Sequence, residues 1–334
     1  MTATNPLFLL IQSFFGEHLQ KVRGASRHTI AAYRDTLKLF LQFLADNRGV
    51  PVDRLTTDDL RAEQVSAFLQ HLEQDRGNRI STRNCRRIAL RSFFQHALRR
   101  DPLRADHYAR ALAVPAKRTA PPIPRYLEPH HMRLLLGQPD RKTLKGQRDH
   151  ALLLFLYNTG ARVSEAVAVR QRDFQFVPPY HVRLLGKGSK ERFCPLWLET
   201  TKAIQSLLAT TADSAAPVFI GPMRTALTRH GANYILAKHA ATAARADPTF
   251  LKRVSPHMLR HSCACALLQA GVDLTVIRDY LGHASITTTS RYANSNLKLK
   301  RDALTKFWER SGLAPPNTAP WKPTKSLLSY LAAL

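Results

Sequence analysis

Six side chains from position 162 onward have the types needed to open and reseal a phosphodiester: Arg162, Lys187, His257, Arg260, His283 and Tyr292. A tyrosine can attack phosphorus and hold the phosphate covalently, keeping the bond energy for resealing. Its ordinary pKa near 10 means that it needs cations or a base beside it at neutral pH. Two arginines can grip the non-bridging oxygens with planar, charge-assisted forks. Such charge stabilisation is often the largest catalytic contribution. A lysine or histidine must then protonate the leaving 5′ oxygen. Each residue alone has a plainer reading: a surface arginine paired with Glu165, a solubilising hairpin lysine, a half-buried tyrosine anchor.

Each of these residues sits in a short motif. In "NTGARVSEA", Arg162 follows a Thr-Gly break after the apolar run 151–157, near a helix N-terminus, where free N–H groups favour an anion. In "GKGSKER", Lys187 falls in a turn between two β-like runs. A nucleotide phosphate loop is excluded there, because it requires glycine at position 181, which is His181, and Ser or Thr at 188, which is Gly188. In "SPHMLRHSCACALL", His257 and Arg260 are one helical turn apart and share a face. His257 and His261 also have metal-ligand spacing, but the HExxH glutamate and an acidic third ligand are absent, so no metal is expected there. In "LGHASITTTSRYAN", Tyr292 follows His283 by nine positions, across a stretch too polar for a core.

The composition fits a polyanionic partner. Among 334 residues, Lys+Arg number 50 and Asp+Glu 24, a formal charge of +26. An excess this large points to nucleic acid or an anionic membrane surface. The longest apolar run, "ALLLFLY", falls far short of the ~20 residues a spanning helix needs. The first residues, "MTATNPLFLLIQSFF", show neither a basic n-region nor a small-residue cleavage site. Cys85, Cys194, Cys263 and Cys265 form no CxxC pair. The expectation is a reduced, cytoplasmic protein with no structural zinc and no cofactor.

The elements that must position these residues fall into two domains. Ile30, Tyr33, Leu37, Leu41 and Leu44 step at helical spacing, with Ser26 as N-cap and Gly49 after the end. Val65, Phe68, Leu69 and Leu72 repeat the pattern. A further helix from about Ser81 to Leu98 is given an apolar face of Cys85, Ile88, Ala89, Phe93 and Ala97. Arg83, Arg87 and Arg91 form a basic stripe on another face, read as a phosphate-binding surface in so basic a chain. From Arg99 to Arg125 five prolines, with Lys117 and Arg118, suggest an extended basic linker. Helices are predicted at Pro129–Gly137, Gln147–Tyr157 and Leu198–Ala209, with a β-hairpin over "HVRLLGKGSKERFCPL".

The strings "TGARVSE", "GKGSKER", "HMLRH" and "LGH", with the tyrosine nine residues after that histidine, resemble the tyrosine recombinase (phage integrase) family in its Xer-like form. The helical "SRHTIAAYRDTLKLFLQFL" extends the resemblance over most of residues 5–310. It implies a mainly α fold with a small antiparallel sheet. The domains would be a helical core-binding domain (1–100), a linker (101–125), a catalytic domain (126–310) and a tail (311–334). By the same resemblance Arg162 and Arg260 clamp the phosphate and Lys187 is the general acid. His257 assists proton transfer, His283 hydrogen-bonds the phosphate, Tyr292 is the nucleophile, and Glu165 orients its neighbours. Ser-Cys-Ala-Cys replaces the usual Thr-Phe-Ala after "LRH", and Cys263 and Cys265 are expected to be packing residues.

The implied partner is double-stranded DNA, held in a C-shaped clamp, by a dimer on one site and a homotetramer on two, with or without a sister recombinase. Leu297, Leu299, Leu304, Phe307 and Trp308 would dock on a neighbouring protomer or pack in cis. The C-terminal extension suggests a mobile-element role. A DNA-binding protein without activity and a type IB topoisomerase are the alternatives.

Overall fold

A computed structural model describes residues 5–119, 124–186, 190–209 and 213–282. Lys187, His283, Tyr292 and the apolar C-terminal segment lie outside the described residues. The chain divides into two compact units, one ending at Pro121 and the next beginning at Pro122.

The first unit is helical. Helix α1 (Pro6–Ser13) widens into a π-helical stretch, Phe14–Val22. It is followed by α2 (Arg27–Arg48), α3 (Ala62–Gln74), α4 (Ile80–Arg100) and α5 (Ala105–Ala113). The Ser26 hydroxyl accepts from the Thr29 amide at 3.2 Å and Gly49 takes the left-handed conformation (φ 65°), so α2 starts and stops where its sequence signals predict. Phe14, Phe40, Phe68, Phe93, Phe94 and Tyr108 fill one core.

Two sequence expectations change here. The stretch assigned to an extended linker contains α5, a helix whose Tyr108 and Ala111 are buried in that core. Pro102 opens the helical turn just before it, a position where the missing N–H costs nothing. The Tyr108 hydroxyl donates to Asp101 at 2.9 Å, which fixes the start of α5. In α4, Cys85 is exposed and Ile88 is 54% exposed, while Leu90 and Phe94 join Ala89, Phe93 and Ala97 inside. The first two turns of α4 therefore turn their arginines, not Cys85 and Ile88, toward the protein.

The second unit sets helices around a three-stranded antiparallel sheet, β1 (Phe174–Gln175), β2 (His181–Leu185) and β3 (Glu191–Pro195), in that spatial order. Its helices are α6 (Pro129–Leu136), α7 (Leu144–Thr159), α8 (Val163–Ala166), α9 (Leu198–Leu208), α10 (Arg229–Ala246), α11 (Pro256–Gln269) and α12 (Leu274–Leu281). From Ala151 to Leu156 helix α7 is apolar on every face, and Leu152, Leu153, Phe155 and Leu156 are fully buried. Val182, Leu184 and Cys194, on alternating positions of the hairpin, pack the sheet onto this core. Cys263, Cys265, Ile277 and Leu281 form a smaller cluster that joins α11 to α12. The two cysteines are thus the packing residues expected, and burial pushes both thiols up to about 12.

Candidate active site

Helix α7 ends at Gly160, whose left-handed backbone (φ 56°) reverses the chain and delivers Arg162 to the N-cap of α8. A Cβ on Gly160 would lie 2.4 Å from Leu281 Cδ2, so only glycine fits between α7 and α12. Glu165, one turn after Arg162, is buried and ties the turn together. Its Oε2 accepts from the Arg162 amide at 2.8 Å, and its Oε1 accepts from the Arg162 guanidinium at 2.7 Å. The arginine is held but remains about one-third exposed.

The same carboxylate has a second cation. Arg192, on β3, donates through Nη2 to Glu165 Oε2 at 2.7 Å and through Nε to the Tyr280 carbonyl at 3.0 Å. The strand arm of the hairpin is therefore bolted to α8 and to the end of α12. Burial alone would raise the Glu165 pKa. The Arg192 hydrogen bond and charge, with the Arg162 amide and guanidinium, outweigh it and hold the carboxyl below the usual range. The hairpin is closed by Gly186 N–H to Lys190 C=O at 2.8 Å.

Arg260 comes from α11 and is 2% exposed. Its Nη1 donates to the Gly160 carbonyl at 2.7 Å and its Nη2 to the Leu281 carbonyl at 2.6 Å. Arg162 Nη2 donates to the Gly282 carbonyl at 3.3 Å. Both arginines thus grip the backbone at Leu281–Gly282, the two residues that precede His283 in the sequence. His257, one turn before Arg260, is exposed on the surface of α11. Desolvation, then the charges of Arg260 and Arg162, hold its pKa below the usual imidazole value. At neutral pH it is the uncharged, proton-accepting form. His261 stacks on it with ring centroids 5.9 Å apart.

Of the six residues picked out for catalysis, Arg162, His257 and Arg260 are thus brought to one locality. Sequence reasoning missed Arg192. Its signal was present in "KERF", directly after the lysine turn, but its partner is 27 residues away in the chain. The stripe residues also have structural partners. Arg87 Nε donates to the Val114 carbonyl at 2.6 Å, Arg91 to the Leu112 carbonyl, and Arg83 pairs with Glu73 at 3.0 Å. Lys117 also reaches Glu73, at 2.6 Å, and Arg118 is exposed.

Residues 125–298 match the phage integrase family, and residues 11–101 match the N-terminal SAM-like domain of phage integrases. A Sinorhizobium fredii protein named as an integrase/recombinase, y4rC, is 37% identical over 336 residues, covering 100% of both chains. The tyrosine recombinase XerC of Pelobacter propionicus is 32% identical, covering 87% of this chain and 92% of its own. The fold matches that of the XerH site-specific recombinase bound to its palindromic difH substrate, with a TM-score of 0.68 at 20% identity, covering 92% of this chain and 91% of that one. With its two domains matched in order and its motifs in register, the chain belongs to the phage integrase family of tyrosine recombinases.

Proposed function

We propose that this enzyme, a site-specific DNA recombinase, uses Arg162, Lys187, His257, Arg260, His283 and Tyr292 as its catalytic set on double-stranded DNA. The observation that carries this reading is the double grip of Arg162 and Arg260 on Leu281–Gly282. It puts two guanidiniums of distinct origin next to the chain that leads into His283.

In this mechanism the Tyr292 oxygen attacks the scissile phosphorus while the bond to the 5′ oxygen breaks. Neutral His257 takes the tyrosine proton, and Lys187 donates a proton to the departing 5′ oxygen. Arg162 and Arg260, with His283, stabilise the charge that builds on the non-bridging oxygens. The product is a 3′-phosphotyrosyl bond and a free 5′ hydroxyl. A 5′ hydroxyl from the partner strand then attacks the phosphotyrosine and restores Tyr292. Four protomers would pass two duplexes through a four-way junction in this way, a dimer holding each site. Among the described residues no helix is long and apolar enough to cross a membrane, in keeping with action on DNA in the cytoplasm.

The test is a covalent trap. The protein is incubated with nicked duplexes from the DNA flanking its own gene and quenched with SDS. An adduct with the parent protein and none with Tyr292→Phe supports the assignment. An adduct that persists in Tyr292→Phe, or clear binding with no adduct on nicked substrates, overturns it.

A further inference from the structure

Away from the recombinase residues, the start of α6 meets the end of α10. His130 and His131 occupy the first turn of α6, and Asp247 caps α10. Among the described residues these three form one group whose ligand atoms all lie within 4.8 Å of one another. We propose that His130, His131 and Asp247 form a binding site for a divalent transition-metal ion of the zinc type.

The geometry argues for an ion rather than a simple contact. His131 Nε2 and Asp247 Oδ2 are 3.5 Å apart, long for a hydrogen bond. Zinc bonds to nitrogen and oxygen run about 2.0–2.2 Å, so two ligands of one tetrahedral ion lie about 3.4 Å apart. The observed separation is that span.

The groups are also oriented from behind, as metal ligands are. Asp247 Oδ1 accepts from the Thr249 amide at 2.8 Å and its hydroxyl at 2.7 Å, which leaves Oδ2 turned to the imidazole. The buried His131 ring is fixed edge-on against Phe250, with centroids 5.4 Å apart. The exposed His130 ring stands 3.9 Å from the His131 ring, within reach of the same point by side-chain rotation.

Without an ion, His131 Nε2 meets the Thr249 hydroxyl at 3.1 Å. That hydroxyl already donates to Asp247, so Nε2 must be the donor. Taking an ion on Nε2 requires the other neutral tautomer, with the ring proton moved to Nδ1. Two imidazoles and one carboxylate suit zinc, nickel or cobalt, and three protein ligands leave a fourth position to water. The bound ion joins α6 to α10 across more than a hundred residues of chain.

The full-length protein, stripped with a chelator, is titrated with Co2+ and followed by visible absorption. The expected result is one Co2+ per chain, displaced by Zn2+, with ligand-field bands and no thiolate charge-transfer band. His130→Ala and Asp247→Asn each weaken binding at least tenfold. His130 is exposed, and asparagine can still accept from Thr249, so both variants keep the parent circular dichroism. Absence of stoichiometric binding at micromolar Co2+ overturns the proposal. So does binding that survives both substitutions or that vanishes in Cys85→Ser. The titration uses no DNA, so its outcome is independent of the recombination mechanism.

Discussion

Arg192 and Glu165 stand 2.7 Å apart, both nearly sealed from solvent, and the other oxygen of Glu165 holds Arg162. Arg162 is therefore aimed by a carboxylate that is itself aimed by the hairpin. Any group that fixes Arg192 fixes Arg162 at one remove.

Arg192→Ala leaves Glu165 with one cation and frees the hairpin from the Tyr280 carbonyl. Breaking a buried pair by removing one partner costs about 3–5 kcal/mol. Single-turnover cleavage of a nicked substrate is expected to fall by about 10²-fold, the order of loss seen when a catalytic group is misplaced by about 1 Å. DNA affinity should hold within a few-fold. Arg192→Lys recovers stability better than rate, because an ammonium cannot serve Glu165 and the Tyr280 carbonyl with one planar fork. A variant with parent cleavage and reduced stability would make Arg192 a packing residue only.

Stability against pH should fall in two separate windows. Burial, then His257 and Arg260, push His261 down to about 4, whereas an unfolded histidine titrates near 6.5. Between those values the unfolded chain takes up a proton that the folded chain refuses, so stability declines as pH drops from about 6.5 to about 4. Glu165 acts lower: its folded pKa lies under the ordinary value of about 4.3, so its contribution is present above that pH and is lost as acid protonates it. Urea unfolding of the parent and His261→Gln at several pH values separates the two. His261→Gln should make the upper window shallower, with the remaining slope left to His257 and the other histidines held below the usual value, and leave the lower one. Equal slopes in both proteins through the upper window would exclude His261 as its source.

These couplings show which features are legible from a linear chain. The helices announce themselves through periodicity and caps: Ser26, Gly49 and the 3–4 spacing from Ile30 to Leu44 suffice for α2. Arg162, His257 and Arg260 are legible because their motifs are local. Arg192 is not, since nothing within its own strand shows that Glu165 and Tyr280 will arrive beside it. The same holds for His131 and Thr249, 118 residues apart. Helix α5 was hidden by prolines that flank it rather than interrupt it. The basic stripe shows a further limit: i, i+4, i+8 spacing puts three arginines on one face but does not say what that face meets.

Arg162 and Arg260 should separate under mutation. Arg260 is buried and satisfies two carbonyls, so Arg260→Ala orphans both and is expected to cost several kcal/mol, at about 1–3 for each unsatisfied group. Arg162 is one-third exposed, and Arg192 still neutralises Glu165 when it is removed. Arg162→Ala should lose about 1 kcal/mol or less in chemical denaturation, a surface-pair magnitude, while adduct formation falls as far as in Arg260→Ala. Comparable destabilisation by both would mean that Arg162 is as structural as Arg260.

The basic stripe and the segment beyond it divide by salt dependence. A residue that binds a phosphate contributes about one unit to the slope of log affinity against log salt. Arg87 is half-buried on the Val114 carbonyl, and burial, then Arg91 and Arg83, lower its pKa. A guanidinium held this way tethers the chain after α5 to α4. Arg87→Ala is expected to lower stability by about 1–3 kcal/mol, the cost of an orphaned carbonyl, with the salt slope unchanged. Arg118 is exposed, so Arg118→Ala should leave stability alone and reduce the slope by about one. Filter binding over a salt series, paired with urea unfolding, reads both quantities. A reduced slope in Arg87→Ala would return the stripe to the DNA surface, with its carbonyl contacts exchanged for phosphates on binding.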